Sequence, residues 1–251
     1  VEGFVRQVKP FSLLATVYDG IMSDVDYEDW AQFIIEQVAV RGWRRGPLLD
    51  LGCGTGNSTV PMYGFGYDVT GLDASEAMLS VARAKLPPVP FVQADFSDFC
   101  LGKTFALVYS VFDSLNNLLT PEAFRRMAQC VYAHLVPEGF FMFDVNTTAG
   151  LRELWESGRA EGWVGDIYYC WEHSFDELTG LAKVEAYCER GVSSFTEVHF
   201  ERPYDANELR ELLASVGFIG IEVLTYPDGL SAPADEPRIW VIAQKPACEG
   251  E

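Results

Sequence analysis

The run Asp50-Leu51-Gly52-Cys53-Gly54-Thr55-Gly56 is the stretch of this sequence best suited to hold a ligand. It follows an apolar segment with strand character and opens a helical one. Glycines in such a turn let the backbone bend sharply and approach a bound group closely. Two more acids stand where later strands end. Asp73 closes the second strand, and a carboxylate at that point of a doubly wound sheet can accept hydrogen bonds from ribose hydroxyls. Asp95 closes the third, with Phe96 beside it. A carboxylate for an exocyclic amine next to an apolar ring for the base suits adenine. Glycine-rich strand–helix turns also bind dinucleotides through G-x-G-x-x-G/A. Here Asn57 fills the last glycine place, which counts against a dinucleotide.

These residues need a frame. Apolar runs at 47–51, 67–72, 90–93, 105–110 and 140–145 are hydrophobic on both faces, as covered parallel strands are. Helical patterns alternate with them. Ser75 can cap a helix through Met78, Leu79 and Ala82, and Thr120-Pro121 is a helix-start pair. An earlier helix over 27–40 carries Trp30, Phe33, Ile34 and Val38 on one face. After residue 160 the pattern changes to three antiparallel strands at 166–175, 181–190 and 194–202. Asp205-Ala206-Asn207-Glu208 reads as a capping-box-like start and Gly217 as the end of that helix. Strands at 219–225 and 238–244 complete the set, and a frayed tail is expected after Lys245. The prediction is an α/β fold. It has a doubly wound, mostly parallel seven-stranded sheet with an inserted antiparallel β-meander. The chain divides into an N-terminal helical lid (1–46), a ligand-binding core (47–150), the meander (151–204) and a C-terminal helix with the last core strands (205–251).

Composition narrows the partners. The 251 residues carry 37 acidic against 18 basic side chains, a net charge of −19. Bulk nucleic acid requires a basic face to displace counterions, and only Arg41, Arg44 and Arg45 cluster. An anionic membrane surface would repel such a chain. The acidity serves solubility or attracts a cationic or amine partner. None of the six cysteines forms a C-x-x-C pair, and no metal-ligand spacing is present. The cysteines read as reduced thiols, and a cytoplasmic location is expected. No secretory leader pattern or membrane-spanning run is visible.

The segment 48–57 resembles motif I of class I S-adenosylmethionine (SAM) dependent methyltransferases. Gly71-Leu72-Asp73-Ala74-Ser75 with Ala77-Met78-Leu79 is similar to the next motif, and Ala94-Asp95-Phe96 to the adenine motif. Residues 105–118 resemble the fourth strand and its loop, and His134-Leu135-Val136-Pro137-Glu138-Gly139 the turn before the fifth. The resemblance covers roughly residues 18–145. It implies a Rossmann-like methyltransferase fold with SAM as cofactor and S-adenosylhomocysteine as product. Asp50 and the backbone of Gly52 and Gly54 would face the methionine part, with Asn57 close by. Asp73 would hold the ribose, beside Ala74 and Met78. Asp95 and Phe96 would hold the adenine, and the Ser110 carbonyl the methionine amine.

The acceptor is less constrained. Tyr18, in Val17-Tyr18-Asp19, and the aromatics Tyr27 and Trp30 look like the N-terminal segment of small-molecule methyltransferases, including sugar N,N-dimethyltransferases. There the tyrosine closes over SAM. The same aromatics also make an ordinary amphipathic core stripe. Trp171 lies on the first meander strand, and alternation puts Glu197, His199 and Glu201 on one face of the third. That face is a polar pocket wall with His199 as base, a solvated face, or a homodimer surface. Asn116 and Asn146 follow strand ends near the expected reaction centre and, with Tyr27 and Trp171, are candidate contacts to the acceptor. The expected function is methyl transfer to a small molecule, with nitrogen preferred over oxygen. Protein or RNA methylation, or SAM binding without turnover, are the alternatives.

Overall fold

The computed structural model describes residues 6–156 and 158–247. The chain opens with strand β1 (Arg6–Val8) and two helices, the four-residue α1 (Tyr18–Ile21) and the longer α2 (Tyr27–Ala39). A regular alternation follows: β2 (Leu48–Leu51), α3 (Thr59–Gly64), β3 (Val69–Asp73), α4 (Glu76–Lys85), β4 (Phe91–Gln93), β5 (Phe105–Ser110), α5 (Pro121–His134) and β6 (Leu135–Asn146). Helix α6 (Thr148–Glu156) leads into β7 (Arg159–Val164), β8 (Ile167–Asp176), β9 (Leu181–Arg190) and β10 (Ser193–Glu201). The chain closes with α7 (Ala206–Val216), β11 (Ile219–Leu224) and β12 (Arg238–Gln244).

The larger sheet has seven strands in the order β11-β12-β6-β5-β2-β3-β4. The pairs β2–β3, β2–β5, β3–β4 and β5–β6 are parallel, and β12 runs antiparallel to both neighbours. Every residue of β2 and β5 is buried, because helices cover both faces. Strand alternation sorts the core into two layers. Leu49, Leu51, Val108, Phe141 and Phe143 meet α5 and α7 through Phe124, Met127, Val131, Leu209 and Leu213. Leu48, Leu107, Tyr109, Met142 and Trp240 meet α2 through Phe33, Ile34 and Val38 on the other face.

Local signals set the helix starts. Ser75 accepts the Met78 N–H at the head of α4, Thr120 that of Ala123 before Pro121, and Asp26 that of Asp29 before α2. Asp205 occupies the corresponding place before α7, but its side chain makes no capping bond there. Gly217 ends that helix with φ +110°.

The meander differs from the expectation in two ways. A fourth strand, β7, pairs antiparallel with β8, although its sequence carries little apolar alternation. Strand β1 adds on the opposite edge, parallel to β10, giving the order β1-β10-β9-β8-β7. The segment after β1 then packs on this sheet: Leu14 and Val17 meet Cys188, Trp171 and Phe195. The loop after β5 joins the two sheets. Arg202 donates its N–H to the Asn116 carbonyl at 2.8 Å, and the Asn116 amide donates to the Arg202 carbonyl at 2.8 Å.

Gly150, in α6, touches the strand entering from the other end of the chain. A Cβ there would lie 1.9 Å from the Pro237 carbonyl oxygen, so backbone would have to move. Gly150→Ala is expected to destabilise the fold by about 1–3 kcal/mol, the usual cost of overpacking. A denaturant midpoint shifted down at unchanged slope would confirm this; an unchanged midpoint would contradict it.

Candidate active site

Between the two sheets lies a cavity of about 780 Å³. One end is built from the carboxyl ends of β2, β3 and β4. Gly52, Gly54, Asp73, Ala74, Met78, Asp95 and Phe96 line it. Gly52 has φ +79°, and a Cβ there would sit 3.0 Å from the Phe96 ring and 3.1 Å from Ser114. Both the turn and the close approach require glycine. A Cβ on Gly54 would meet nothing within 4 Å, so the loop faces open space. Asp73 Oδ2 accepts the Gly54 N–H at 2.9 Å, and Oδ1 accepts the Ser75 N–H at 2.8 Å. Burial pushes the Asp73 carboxyl up, and these backbone donors pull against it. Asp95 is exposed and accepts the Ser97 N–H and hydroxyl through Oδ1.

Asp50 is fully buried beneath the loop, off the cavity wall. Its Oδ2 accepts the hydroxyls of Ser58 at 2.7 Å and Thr59 at 2.6 Å, while Oδ1 has no hydrogen-bond partner. Burial pushes its pKa up to about 6, against the hydroxyl bonds. The Ser110 hydroxyl, at the end of β5, is likewise buried without a partner. Open space over a glycine turn and carboxylates at the ends of β3 and β4, with Phe96 beside the second, suit an adenosyl amino acid such as SAM.

The N-terminal segment forms one side of the cavity. Tyr18 lies on the wall, and burial holds its phenol well above the usual range. Asp19 accepts the Thr55 hydroxyl at 2.5 Å and pairs with Lys85 at 2.7 Å, tying α1 to the glycine loop and α4. Asn57 stands off the wall and accepts from Lys85. Tyr27 is also off the wall and packs against Trp30 and Phe112 at ring distances of 6.1 Å. Burial pushes its phenol up to about 12.

The far end is walled by the second sheet and the loop after β5. Trp171, His173, His199 and Glu201 face Phe112, Asp113 and Arg238. His199 is buried, with Nε2 3.4 Å from Glu197 and its ring edge-on to Phe11 at 4.5 Å. One oxygen of Glu201 is buried without a hydrogen-bond partner. Burial, then the charge of Asp113, raise the Glu201 carboxyl well above its usual value; Arg238 opposes them. Arg238 is already engaged: it donates to Asp144 and lies 3.4 Å from Asp113. Phe112 and Asp113 both adopt left-handed φ, +59° and +49°. Asp144 helps hold that turn by accepting the Asp113 N–H at 3.1 Å. Such conformations cost about 1–3 kcal/mol each and persist where surroundings over-determine them.

Asn116 and Asn146 are absent from the wall. Asn116 is buried and donates to the carbonyls of Asn146 and Arg202, and its side-chain oxygen accepts the Asn146 N–H. The Asn146 amide donates to Asp113. Both side chains pin the loop behind the cavity, their capacity spent on protein groups. Sequence reasoning passed over Asp113, Asp144 and Arg238. Asp113 sits in the segment that resembles the fourth strand and its loop, which was the available signal. Arg238 and Asp144 meet it only through sheet pairing.

Residues 48–139 match the family model described as a methyltransferase domain. The YqeM protein of Bacillus subtilis (strain 168), which carries a methyltransferase name, is 31% identical over 240 residues, covering 92% of this chain and 95% of its own. A dTDP-3-amino-3,4,6-trideoxy-alpha-D-glucopyranose N,N-dimethyltransferase of Streptomyces venezuelae is 37% identical over 177 residues, 70% of this chain and 69% of its own. Among solved structures, a SAM-dependent methyltransferase from Clostridium acetobutylicum ATCC 824 has a TM-score of 0.81 at 25% identity. It covers 93% of this chain and 98% of its own.

The raised pKa of Asp50 makes a stability prediction. The folded chain binds that proton more tightly than the unfolded one. The contribution is therefore fully present below the ordinary carboxylate value and is lost as pH rises through about 6. Asp50→Asn, which cannot ionise, is expected to gain stability relative to the parent between about pH 4 and about pH 7. Denaturant unfolding of the ligand-free proteins across that window checks it; a constant difference would contradict it.

Proposed function

This chain belongs to the SAM-dependent methyltransferases, and we propose that it methylates a nitrogen atom of a small molecule. SAM supplies a methyl already activated on a sulfonium. The protein's tasks are then to align the acceptor, exclude water and take the proton that a nitrogen nucleophile sheds. In this reading Asp73 holds the ribose, Asp95 and Phe96 the adenine, and the glycine-loop backbone, braced from beneath by Asp50, holds the methionine end with the Ser110 carbonyl. Tyr18 covers that site from the N-terminal side.

The observation that carries the choice of nitrogen is the charge balance at the far end of the cavity. Asp113 and Glu201 face it, Asp144 stands behind, and the one guanidinium on that wall, Arg238, is already bound to Asp144 and Asp113. A carboxylate nucleophile would meet uncompensated negative charge there, whereas an amine is attracted. Glu201 retains a buried oxygen for an ammonium N–H, and its raised pKa makes it a stronger base than an ordinary carboxylate. His199 is the second group able to accept that proton, with Glu197 on its Nε2 side. Trp171 offers an apolar face for the body of the acceptor and an aromatic one for its charge. The relative from Streptomyces venezuelae, named for dimethylating an amino sugar, agrees with this class.

Methyl-labelled SAM offered with panels of small amines, alcohols and carboxylic acids is expected to label amine nitrogen. Label found only on oxygen would overturn the proposal. With the acceptor in hand, Glu201→Gln is expected to lower kcat by about 10²-fold or more, as loss of a general base does, while S-adenosylhomocysteine binds as before. The parent rate should rise with pH through a value above the usual carboxylate range, and the variant should lose that limb. An unchanged kcat would remove Glu201 from the chemistry. His199→Ala separates the two candidate bases by the same pair of readouts.

A further inference from the structure

Lys9, Pro10, Phe11, Ser12 and Leu14 form a strap along the cavity wall between β1 and the helical turn Leu14–Thr16. The strap is fastened at two points. On the core side, the Phe11 carbonyl accepts the Ser75 hydroxyl at 2.6 Å, two residues from Asp73. On the meander side, it closes around one fully buried carboxylate, that of Glu197 on β10. Glu197 Oε2 accepts the Phe11 N–H at 2.6 Å. Oε1 accepts the N–H groups of Ser12, Leu13 and Leu14 at 3.1, 2.8 and 3.0 Å and the Ser12 hydroxyl at 3.2 Å.

An ionised carboxylate is an acceptor-only group, and bonds to a charged acceptor are stronger than neutral ones. Burial opposes ionisation of Glu197, but the His199 bond and these backbone donors hold its pKa below the usual carboxylate range. The fit is specific. Four consecutive N–H groups converge on one side chain, and Phe11 adopts φ +55°, which a non-glycine residue holds only when its surroundings impose it. Residues 11–13 lie outside strand and helix, and Leu13 alone of them joins a helical turn, its carbonyl accepting the Thr16 N–H at 3.3 Å. Without the carboxylate, the backbone of residues 11–14 loses its hydrogen bonds to the meander and keeps only the pairing of β1 with β10 and the packing of Phe11 and Leu14.

The structure assigns Glu197 the role of a positioning residue: it fixes the N-terminal strap against the cofactor site and so controls how long the cofactor stays bound. The strap meets the wall at Asp73–Met78, the stretch argued above to hold ribose, so an unfastened strap leaves that part of the site uncovered. The inference rests on the cofactor site and is independent of which acceptor atom is methylated. It also gives the meander a second task beside walling the acceptor end, because Glu197, His199 and Glu201 share one face of β10.

The test uses the full chain, S-adenosylhomocysteine, and Glu197→Gln. The amide keeps one oxygen but sets an NH₂ where a donor is now accepted. Stopped-flow dissociation of S-adenosylhomocysteine is expected to be at least tenfold faster in the variant. Amides 11–14 should lose protection in hydrogen exchange, and Glu197→Asp should fall between the variant and the parent. Phe11→Pro supplies the dissociation rate and the exchange of amides 12–14 should Glu197→Gln fold poorly. It removes one N–H donor and forbids φ +55° without touching the buried carboxylate. A dissociation rate unchanged while amides 11–14 exchange freely would overturn the inference. So would amides that stay protected in Glu197→Gln.

Discussion

The carboxylate of Asp73 bridges two backbone turns that the parallel sheet brings side by side. One oxygen takes the N–H of Gly54 in the loop after β2, and the other takes the N–H of Ser75 at the head of α4. This follows from the geometry of a covered parallel sheet. Helices seal both faces, so β2 and β5 carry no exposed side chain, and polar chemistry is left to the strand ends. At those ends Asp50, Asp73 and Asp95 stand on three successive strands of the ligand side. Asp73 fixes the glycine loop from outside, while Ser58 and Thr59 fix Asp50 from below. The turn at Gly52 can then approach Phe96 closely, which makes a narrow, defined floor at this end of the cavity.

A floor is not a closed site. The rest of the cavity comes from parts of the chain far away in sequence. The five-stranded sheet supplies Trp171, His173, His199 and Glu201, and the strap after β1 supplies a side wall. A fully buried carboxylate and a half-buried one organise this half, and they differ in what surrounds them. Glu197 is ringed by N–H donors and stays ionised; its charge is spent on holding the strap. Glu201, two positions along the same face, keeps an unpartnered oxygen and a raised pKa. One strand thus carries a fixed structural charge and an available basic group, separated by His199. Arg238 is the counterpart on the facing wall, its charge balanced by Asp144 and Asp113.

The parts of this arrangement that local sequence encodes were readable before any coordinates. The glycine loop, the strand-end acids, the Ser75 and Thr120 caps and the doubly wound order depend on residues a few positions apart, where spacing carries the signal. Asp205 marks the limit even of local reading, since it sits at a helix start without capping it. The edge strands of the second sheet escaped because β1 and β7 pair through backbone groups with little apolar alternation to announce them. The strap's anchor joins residues 11–14 to Glu197, more than 180 positions apart, and the Arg238–Asp113 contact spans 125. No periodicity spans such a gap. Asn116 and Asn146 occupied a suggestive position after strand ends, yet their amides are consumed by the backbone carbonyl of Arg202, by each other and by Asp113, a pairing set by tertiary packing alone.

If the strand-end floor is a cofactor site, Asp73 bears directly on binding there. Calorimetric titration of the parent and of Asp73→Ala with S-adenosylhomocysteine addresses this without any acceptor. A micromolar-class dissociation constant is expected for the parent, about −8 kcal/mol, and a loss of about tenfold or more in the variant. No heat of binding by the parent at millimolar ligand, or equal affinity in the two proteins, would contradict it.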